Sequence, residues 1–159
     1  MPKVLVIDDS RSCLEAIETM FSGAGYLVTT STDGKRAVHM MQHEAFDLIL
    51  TDLYMPGEDG IEVIRDARKL HPGLPLVAMS GATGVRNLLA VARHLGACQI
   101  LQKPFSRDEL LQVVEAALNP VPPGHSASSD ERGAIISVAT PAGDGSSTIP
   151  SLPVEGTHQ

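Results

Sequence analysis

The chain has 159 residues, 43% of them apolar, which is enough for one ordinary core with some chain left over. Aromatics make up 3% and Trp is absent, so that core is aliphatic; a net charge of −7 excludes the basic face that a phosphate-backbone binder needs. Two distant cysteines, Cys13 and Cys98, support neither a zinc site nor a disulfide framework and read as small buried residues in a reducing compartment. No apolar run approaches the ~18 residues of a membrane span. The short run Val4–Ile7 stops at Asp8 and Asp9, which is not how a signal peptide is built.

In chain order, Lys3–Asp8 reads as a buried strand, an apolar run bounded by charge. Ser10 can cap the following helix, where Leu14, Ile17 and Phe21 share a face, and Gly23 and Gly25 stop it. Tyr26–Ser31 is rich in β-branched residues and predicts a second strand. Asp33-Gly34 turns into a helix with Ala37, Val38 and Met41 inward. Asp47–Thr51 predicts a third strand, and Ile61, Ile64 and Ala67 mark a third helix closed by His71-Pro72-Gly73. Leu74–Met79 is a fourth strand. Leu88, Val91, Ala92 and Leu95 mark a fourth helix, closed by Gly96. Gln99–Gln102 is a short fifth strand, and Ser106 caps a last helix with Leu110, Val113, Val114 and Ala117 inward.

Strand and helix therefore alternate five times. That pattern predicts an α/β domain over residues 1–119, a doubly wound parallel sheet covered on both faces. Residues 120–159 differ: Pro, Gly, Ser and Thr fill 21 of the 40 positions. Such a segment cannot bury enough apolar surface to offset its chain entropy and is expected to be a disordered tail. Its one apolar stretch, Ala134–Val138, fits a short strand or a docking motif less well than solvated chain.

In a doubly wound sheet the chemistry gathers at the carboxyl ends of the strands. Asp8 and Asp9 follow the first strand, Asp52 the third, Ser80 the fourth, and Lys103-Pro104 the fifth. Each residue alone has an ordinary explanation as a helix cap, a turn residue, a loop serine or a surface lysine. Together they place three carboxylates, a hydroxyl and an ammonium on one sheet edge. Two carboxylates 4 Å apart repel by ~4 kcal/mol at an effective dielectric near 20. One lysine cannot offset three such acids, whereas a hard divalent cation such as Mg²⁺, which oxygen-only ligands select, can. Asp52 can then accept a phosphoryl group as an acyl phosphate. Mg²⁺, Lys103 and Ser80 would each serve one of the three equatorial oxygens.

These residues carry a family likeness. Val4-Leu5-Val6-Ile7-Asp8-Asp9-Ser10, Asp47-Leu48-Ile49-Leu50-Thr51-Asp52-Leu53-Tyr54-Met55-Pro56-Gly57, Met79-Ser80-Gly81-Ala82 and Lys103-Pro104-Phe105 resemble the motifs of response-regulator receiver domains of bacterial two-component signalling, in their single-domain, chemotaxis-regulator-like form. The resemblance covers residues 1–119 and none of the tail. It implies a flavodoxin-like (βα)5 sheet of order 2-1-3-4-5. It makes Asp52 the phosphoacceptor, Ser80 the switch hydroxyl and Lys103 the phosphate-pairing lysine. Mg²⁺ would be held by Asp9, Asp52 and the backbone carbonyl of Tyr54, with Asp8 supporting it through a metal-bound water. The Lys103–Pro104 bond is expected to be cis. The donor would be a phosphohistidine on a sensor histidine kinase or histidine phosphotransfer protein, and the location cytoplasmic. The implied chemistry is limited to self-phosphorylation and autodephosphorylation, with no nucleic-acid or membrane partner.

Three positions modify the expectation. Ile100 occupies the place of the family's aromatic switch residue, so rotation of a ring is not the readout here. Tyr54 and Ala82 occupy the positions that tune acyl-phosphate lifetime in the family; a bulky ring and an apolar methyl point to slow hydrolysis. Residues 120–159 are too polar and Pro-rich for a helix-turn-helix, so the expected output is a change in protein binding. A relay intermediate, a phosphate sink and a degenerate receiver that only docks are the alternatives. A dinucleotide-binding domain would need G-x-G-x-x-G after the first strand, which is absent. A flavin carrier would not place Asp8 and Asp9 where its phosphate sits, and an aspartyl-phosphate phosphatase would carry D-x-D at the first strand.

Overall fold

The computed structural model describes residues 1–55, 58–81, 90, 92–97 and 99–120. The tail segment 121–159, the turn residues Pro56 and Gly57, Ala82, Leu88, Val91 and Cys98 lie outside the described residues. Five parallel strands form the central sheet: β1 (Lys3–Ile7), β2 (Leu27–Ser31), β3 (Leu48–Asp52), β6 (Leu76–Ser80) and β7 (Gln99–Gln102), in the order β2-β1-β3-β6-β7. With the strands of this sheet counted one to five along the chain, that is the expected 2-1-3-4-5, a flavodoxin-like arrangement. A separate two-stranded antiparallel pair, β4 (Tyr54–Met55) with β5 (Glu58–Asp59), stands after β3 where the sequence predicted only a turn. Two residues per strand are too few to show a period, which is why the sequence does not announce it.

The near-continuous apolar strands follow from burial on both faces. Val4, Leu5, Val6 and Ile7 are all fully buried, and their side chains divide alternately between two cores. Val4 and Val6, with Leu48, Leu50, Val77, Met79 and Leu101, face α1 (Arg11–Phe21) and α4 (Arg107–Leu118). Leu5 and Ile7, with Ile49, Leu76 and Ala78, face α2 (Gly34–His43) and α3 (Gly60–Leu70). Full burial of each Val, Leu, Ile or Met side chain among them is worth about 1.5–3 kcal/mol. The helical faces read from sequence are the buried ones: Leu14, Ile17 and Phe21 in α1, Ala37 and Met41 in α2 with Val38 half-buried against the same core, Ile61, Ile64 and Ala67 in α3, and Leu110, Val113, Val114 and Ala117 in α4. Of the fourth predicted helix, residues 90 and 92–94 are helical and Ala92 is buried.

The predicted caps Ser10 and Ser106 are in place, and Asp33, read from the sequence only as part of a turn, caps α2 as well. Ser10 Oγ accepts from the Cys13 amide at 3.3 Å, and Asp33 Oδ1 from the Arg36 amide at 2.7 Å. Ser106 and Glu109 complete a reciprocal capping box at 3.3 and 2.6 Å, a device worth about 1 kcal/mol per cap. Gly23 and Gly25 take positive φ, 71° and 83°, as the chain leaves α1. Strand ends differ from the sequence reading by one or two residues. β3 runs on to Asp52 because backbone pairing with Met79 continues past the apolar run.

Candidate functional site

Strand order reverses between β1 and β3, and their register pairs Ile7 with Thr51. The next residues, Asp8 and Asp52, therefore come side by side at the carboxyl edge. Asp8 is fully buried and Asp52 nearly so, while Asp9 is exposed. One carboxylate oxygen from each of Asp8, Asp9 and Asp52 lies within 4.8 Å of the others. Neighbouring oxygens on one octahedral Mg²⁺ stand about 3 Å apart and opposite ones about 4.2 Å, so the cluster has to contract, or one acid has to act through a bound water, for all three to serve a single ion. An all-oxygen, three-carboxylate donor set fits a hard divalent cation.

Lys103 enters from the far end of β7. Its Nζ donates to Asp8 Oδ2 at 2.5 Å and to Asp52 Oδ2 at 3.1 Å. The remaining oxygens are held by backbone amides: Ser10 N–H donates to Asp8 Oδ1 at 2.9 Å, and Tyr54 N–H to Asp52 Oδ1 at 3.1 Å. Burial pulls the Lys103 ammonium toward neutrality, but the Asp8 hydrogen bond and the two carboxylate charges outweigh it and hold the pKa above the usual lysine range. Lysine stays charged. Burial is likewise the largest influence on Asp52 and pushes its carboxyl up; the Tyr54 amide and Lys103 pull it partly back.

Ser80 is buried at the end of β6, and its hydroxyl donates to the Gly81 carbonyl at 3.1 Å. Its own carbonyl accepts from the Lys103 amide at 2.7 Å, which ties the hydroxyl-bearing and lysine-bearing strand ends together. The Lys103–Pro104 peptide is cis, as expected. Ile100 pairs with Ala78 and packs, partly buried, against the core on the α2–α3 face. Tyr54 is 71% exposed, its ring in solvent beside Asp52.

Gly60, at the start of α3, was not singled out by the sequence. A Cβ there would strike the Asp52 carbonyl and stand 2.7 Å from Leu53 Cα. Its only sequence signal is the Asp59-Gly60 pair ahead of an apolar run. Cys13 is half-buried rather than buried, because it lines a cavity of about 420 Å³ between α1 and the loop Lys103–Phe105. Burial and the neighbouring Asp8 push its thiol up to about 11, so it stays protonated.

A family description, the response regulator receiver domain, matches residues 4–115. The chain belongs to this family. Two solved structures illustrate the likeness. The chemotaxis protein CheY4 of Vibrio cholerae superposes with a TM-score of 0.68 at 29% identity, covering 74% of this chain and 98% of that one. The receiver domain of the Francisella response regulator 1452 gives 0.66 at 33% identity, covering 74% and 97%. Among curated relatives, the response regulator MprA of Mycobacterium leprae is 32% identical over 80% of this chain and 55% of its own length. The DNA-binding transcriptional regulator NtrC of Escherichia coli is 32% identical over 73% of this chain and 24% of its own. The chain thus spans between about a quarter and about half of such curated relatives. Receiver domains bind Mg²⁺ at an acidic pocket and are phosphorylated on aspartate, and in this one Asp8, Asp9 and Asp52 gather as a cluster that could hold a metal ion. Among the described residues no helix is long and apolar enough to cross a membrane.

Proposed function

We propose that this receiver domain accepts a phosphoryl group on Asp52 from a phosphohistidine and signals by the resulting change in protein binding. The observation that carries the reading is the Lys103 ammonium shared between Asp8 and Asp52 beside the Asp8–Asp9–Asp52 oxygen cluster. Asp9, Asp52 and the Tyr54 carbonyl would hold Mg²⁺, with Asp8 acting through a metal-bound water; the ion supplies charge neutralisation for the transferring group. An Asp52 carboxylate oxygen attacks phosphorus, an O–P bond forms, the P–N bond breaks, and its electron pair stays on the imidazole of the donor. Little covalent help is needed for such a transfer, and positioned charge supplies most of the rate. Lys103 gives up part of its contact with Asp52 to pair with a phosphoryl oxygen, and Ser80 turns from the Gly81 carbonyl to donate to another. Either movement tugs the ends of β6 and β7, which the Ser80–Lys103 backbone bond joins. The chemistry stays on the chain's own aspartate, without a separate substrate to turn over.

The donor fitted to this chemistry is a sensor histidine kinase or a histidine phosphotransfer protein, which would place the domain in the cytoplasm. Ile100 favours a second reading, a relay intermediate or phosphate sink, since an aliphatic side chain packed on the core offers no ring to rotate outward. Intact mass after incubation with acetyl phosphate and Mg²⁺ tests the proposal. One phosphoryl group is expected on the wild type, and none on Asp52→Asn or without metal. Equal labelling of Asp52→Asn overturns the assignment. Decay of the adduct then separates a lasting switch from a fast relay.

A further inference from the structure

The helix α2 carries a pair of histidines that the phosphoryl chemistry does not use. His39 and His43 are four residues apart, exposed on one face, with ring centroids 4.3 Å apart and planes 30° from parallel. Such spacing on a helix sets two imidazoles side by side, as in the helical metal-binding pairs of zinc enzymes. His43 Nδ1 lies 2.8 Å from the His39 carbonyl. A carbonyl can only accept, so Nδ1 carries the proton and Nε2 keeps its lone pair outward. A backbone carbonyl fixing the other ring nitrogen is the usual second contact of a metal-ligating histidine.

We propose that His39 and His43 form a two-histidine site for a divalent transition-metal ion of the copper, nickel and zinc class. Two nitrogens bound to one such ion at about 2.1 Å stand at most about 4.2 Å apart, so rings with centroids 4.3 Å apart are close enough to share one once they turn their nitrogens toward it. The ion class follows from the surroundings. Lys35 stands one turn before His39, and the two donors are imidazole nitrogens rather than carboxylate oxygens, which disfavours a hard ion held by charge. Imidazole binds Cu²⁺, Ni²⁺ and Zn²⁺ by donating its lone pair. His43 also sits in the last turn of α2, where the helix dipole favours a cation.

This site is distinct from the carboxylate cluster in place and in chemistry. Lys3, at the start of β1, pairs with Glu44 just after α2 at 2.6 Å. The end of α2 therefore lies at the opposite sheet edge from Asp8, about 17 Å away along a five-residue strand. Two ligands leave the remaining coordination positions of the ion to water or to a donor from another molecule.

Calorimetric titration of the full chain with NiCl₂, under Mg²⁺ in large excess to fill the carboxylate cluster, tests the site. One Ni²⁺ per chain is expected, with Cu²⁺ binding more tightly, as the order of divalent affinities requires. Affinity falls at least about tenfold in His39→Ala and in His43→Ala, and is unchanged in Asp52→Asn. Both alanines favour helix, so these variants keep their fold, checked by an unchanged metal-free melting temperature. Ni²⁺ raises the melting temperature of the wild type and of neither histidine variant. Wild-type affinity in both variants, binding that Mg²⁺ abolishes, or no binding at all overturns the proposal.

Discussion

Gly60 lies flat against Leu53: a Cβ on Gly60 would stand 2.7 Å from Leu53 Cα. The contact is with backbone, so no side-chain rotation relieves it. It also falls on the residue after Asp52, whose carbonyl the same Cβ would strike, and so it fixes how closely α3 approaches the end of β3. Gly60→Ala is expected to cost about 1–3 kcal/mol by overpacking, although α3 itself would gain from the better helix former. It should also slow labelling by acetyl phosphate, because the backbone that aims Asp52 has to move. Urea denaturation beside the labelling rate checks both; unchanged stability would show that the helix start shifts freely.

Mg²⁺ should stabilise the folded domain, because the oxygens of Asp8, Asp9 and Asp52 are gathered only when it folds. At a hundred times the dissociation constant the gain is about 2.7 kcal/mol. Asp9→Asn removes the exposed member of the cluster and leaves the Lys103 contacts to Asp8 and Asp52 in place. Its metal-free stability is expected to stay within about 0.5 kcal/mol of wild type. The Mg²⁺-dependent rise in melting temperature should shrink sharply at the same concentration. A full Mg²⁺ response in Asp9→Asn would take that residue out of the ligand set.

Residues that report through local chemistry were legible in the sequence. Val4–Ile7 announces a buried strand by an apolar run stopped by acids, and Ser10 and Ser106 announce helix starts by side chains that satisfy an amide three residues on. The site was legible because every member ends a strand, and strand ends in this topology share an edge. What escaped is what depends on distant partners. Arg68 donates from Nη1 to the carbonyls of Pro72 at 3.1 Å and Leu74 at 2.5 Å and from Nη2 to that of Gly96, joining the turn after α3 to the loop before β7. Nothing around Arg68 in the sequence marks it off from a solvated helix arginine. Gly60 escaped for a similar reason, since its neighbour across the gap, Leu53, is known only once α3 is docked. The β4–β5 pair is too short for any periodicity. Cysteine is usually buried, which is all the sequence offers for Cys13, and the adjoining cavity appears only when α1 meets Phe105.

The Cys13 thiol should react slowly. Burial and the Asp8 carboxylate both disfavour the thiolate, which moves its pKa from 9.0 up to about 11. A raised thiol pKa means the protonated, unreactive form persists; near neutral pH the thiolate is about 100-fold scarcer than at the ordinary value. In a Cys98→Ser background, alkylation by iodoacetamide should rise with pH toward a midpoint near 11 rather than 9.0. Removing the nearby charge in Asp8→Asn should move the midpoint down. A midpoint at the ordinary thiol value would mean that the cavity beside Cys13 is fully hydrated.

Tyr54 bears on how long a phosphoryl group on Asp52 would last. Its amide holds Asp52 Oδ1 at 3.1 Å, so the ring beginning at the same residue stands at the mouth of the site, 71% exposed. Water that hydrolyses an acyl phosphate has to approach in line with the departing carboxylate, and a bulky ring obstructs part of that approach. Ala82, two residues after Ser80, has no polar atom to orient such a water. Replacing both, Tyr54→Asn with Ala82→Glu, opens the approach and adds a carboxylate that can accept the water's proton. A fully positioned general base contributes ~10²–10⁴-fold, and one introduced without such positioning should deliver about tenfold. The phosphoryl half-life, followed by intact mass after removal of acetyl phosphate, should shorten by that factor, with Tyr54→Asn alone giving the smaller share. A half-life unchanged in the double variant would locate the control of hydrolysis elsewhere, with Lys103 the first residue to examine, since its hold on Asp52 also governs how readily the leaving carboxylate is stabilised.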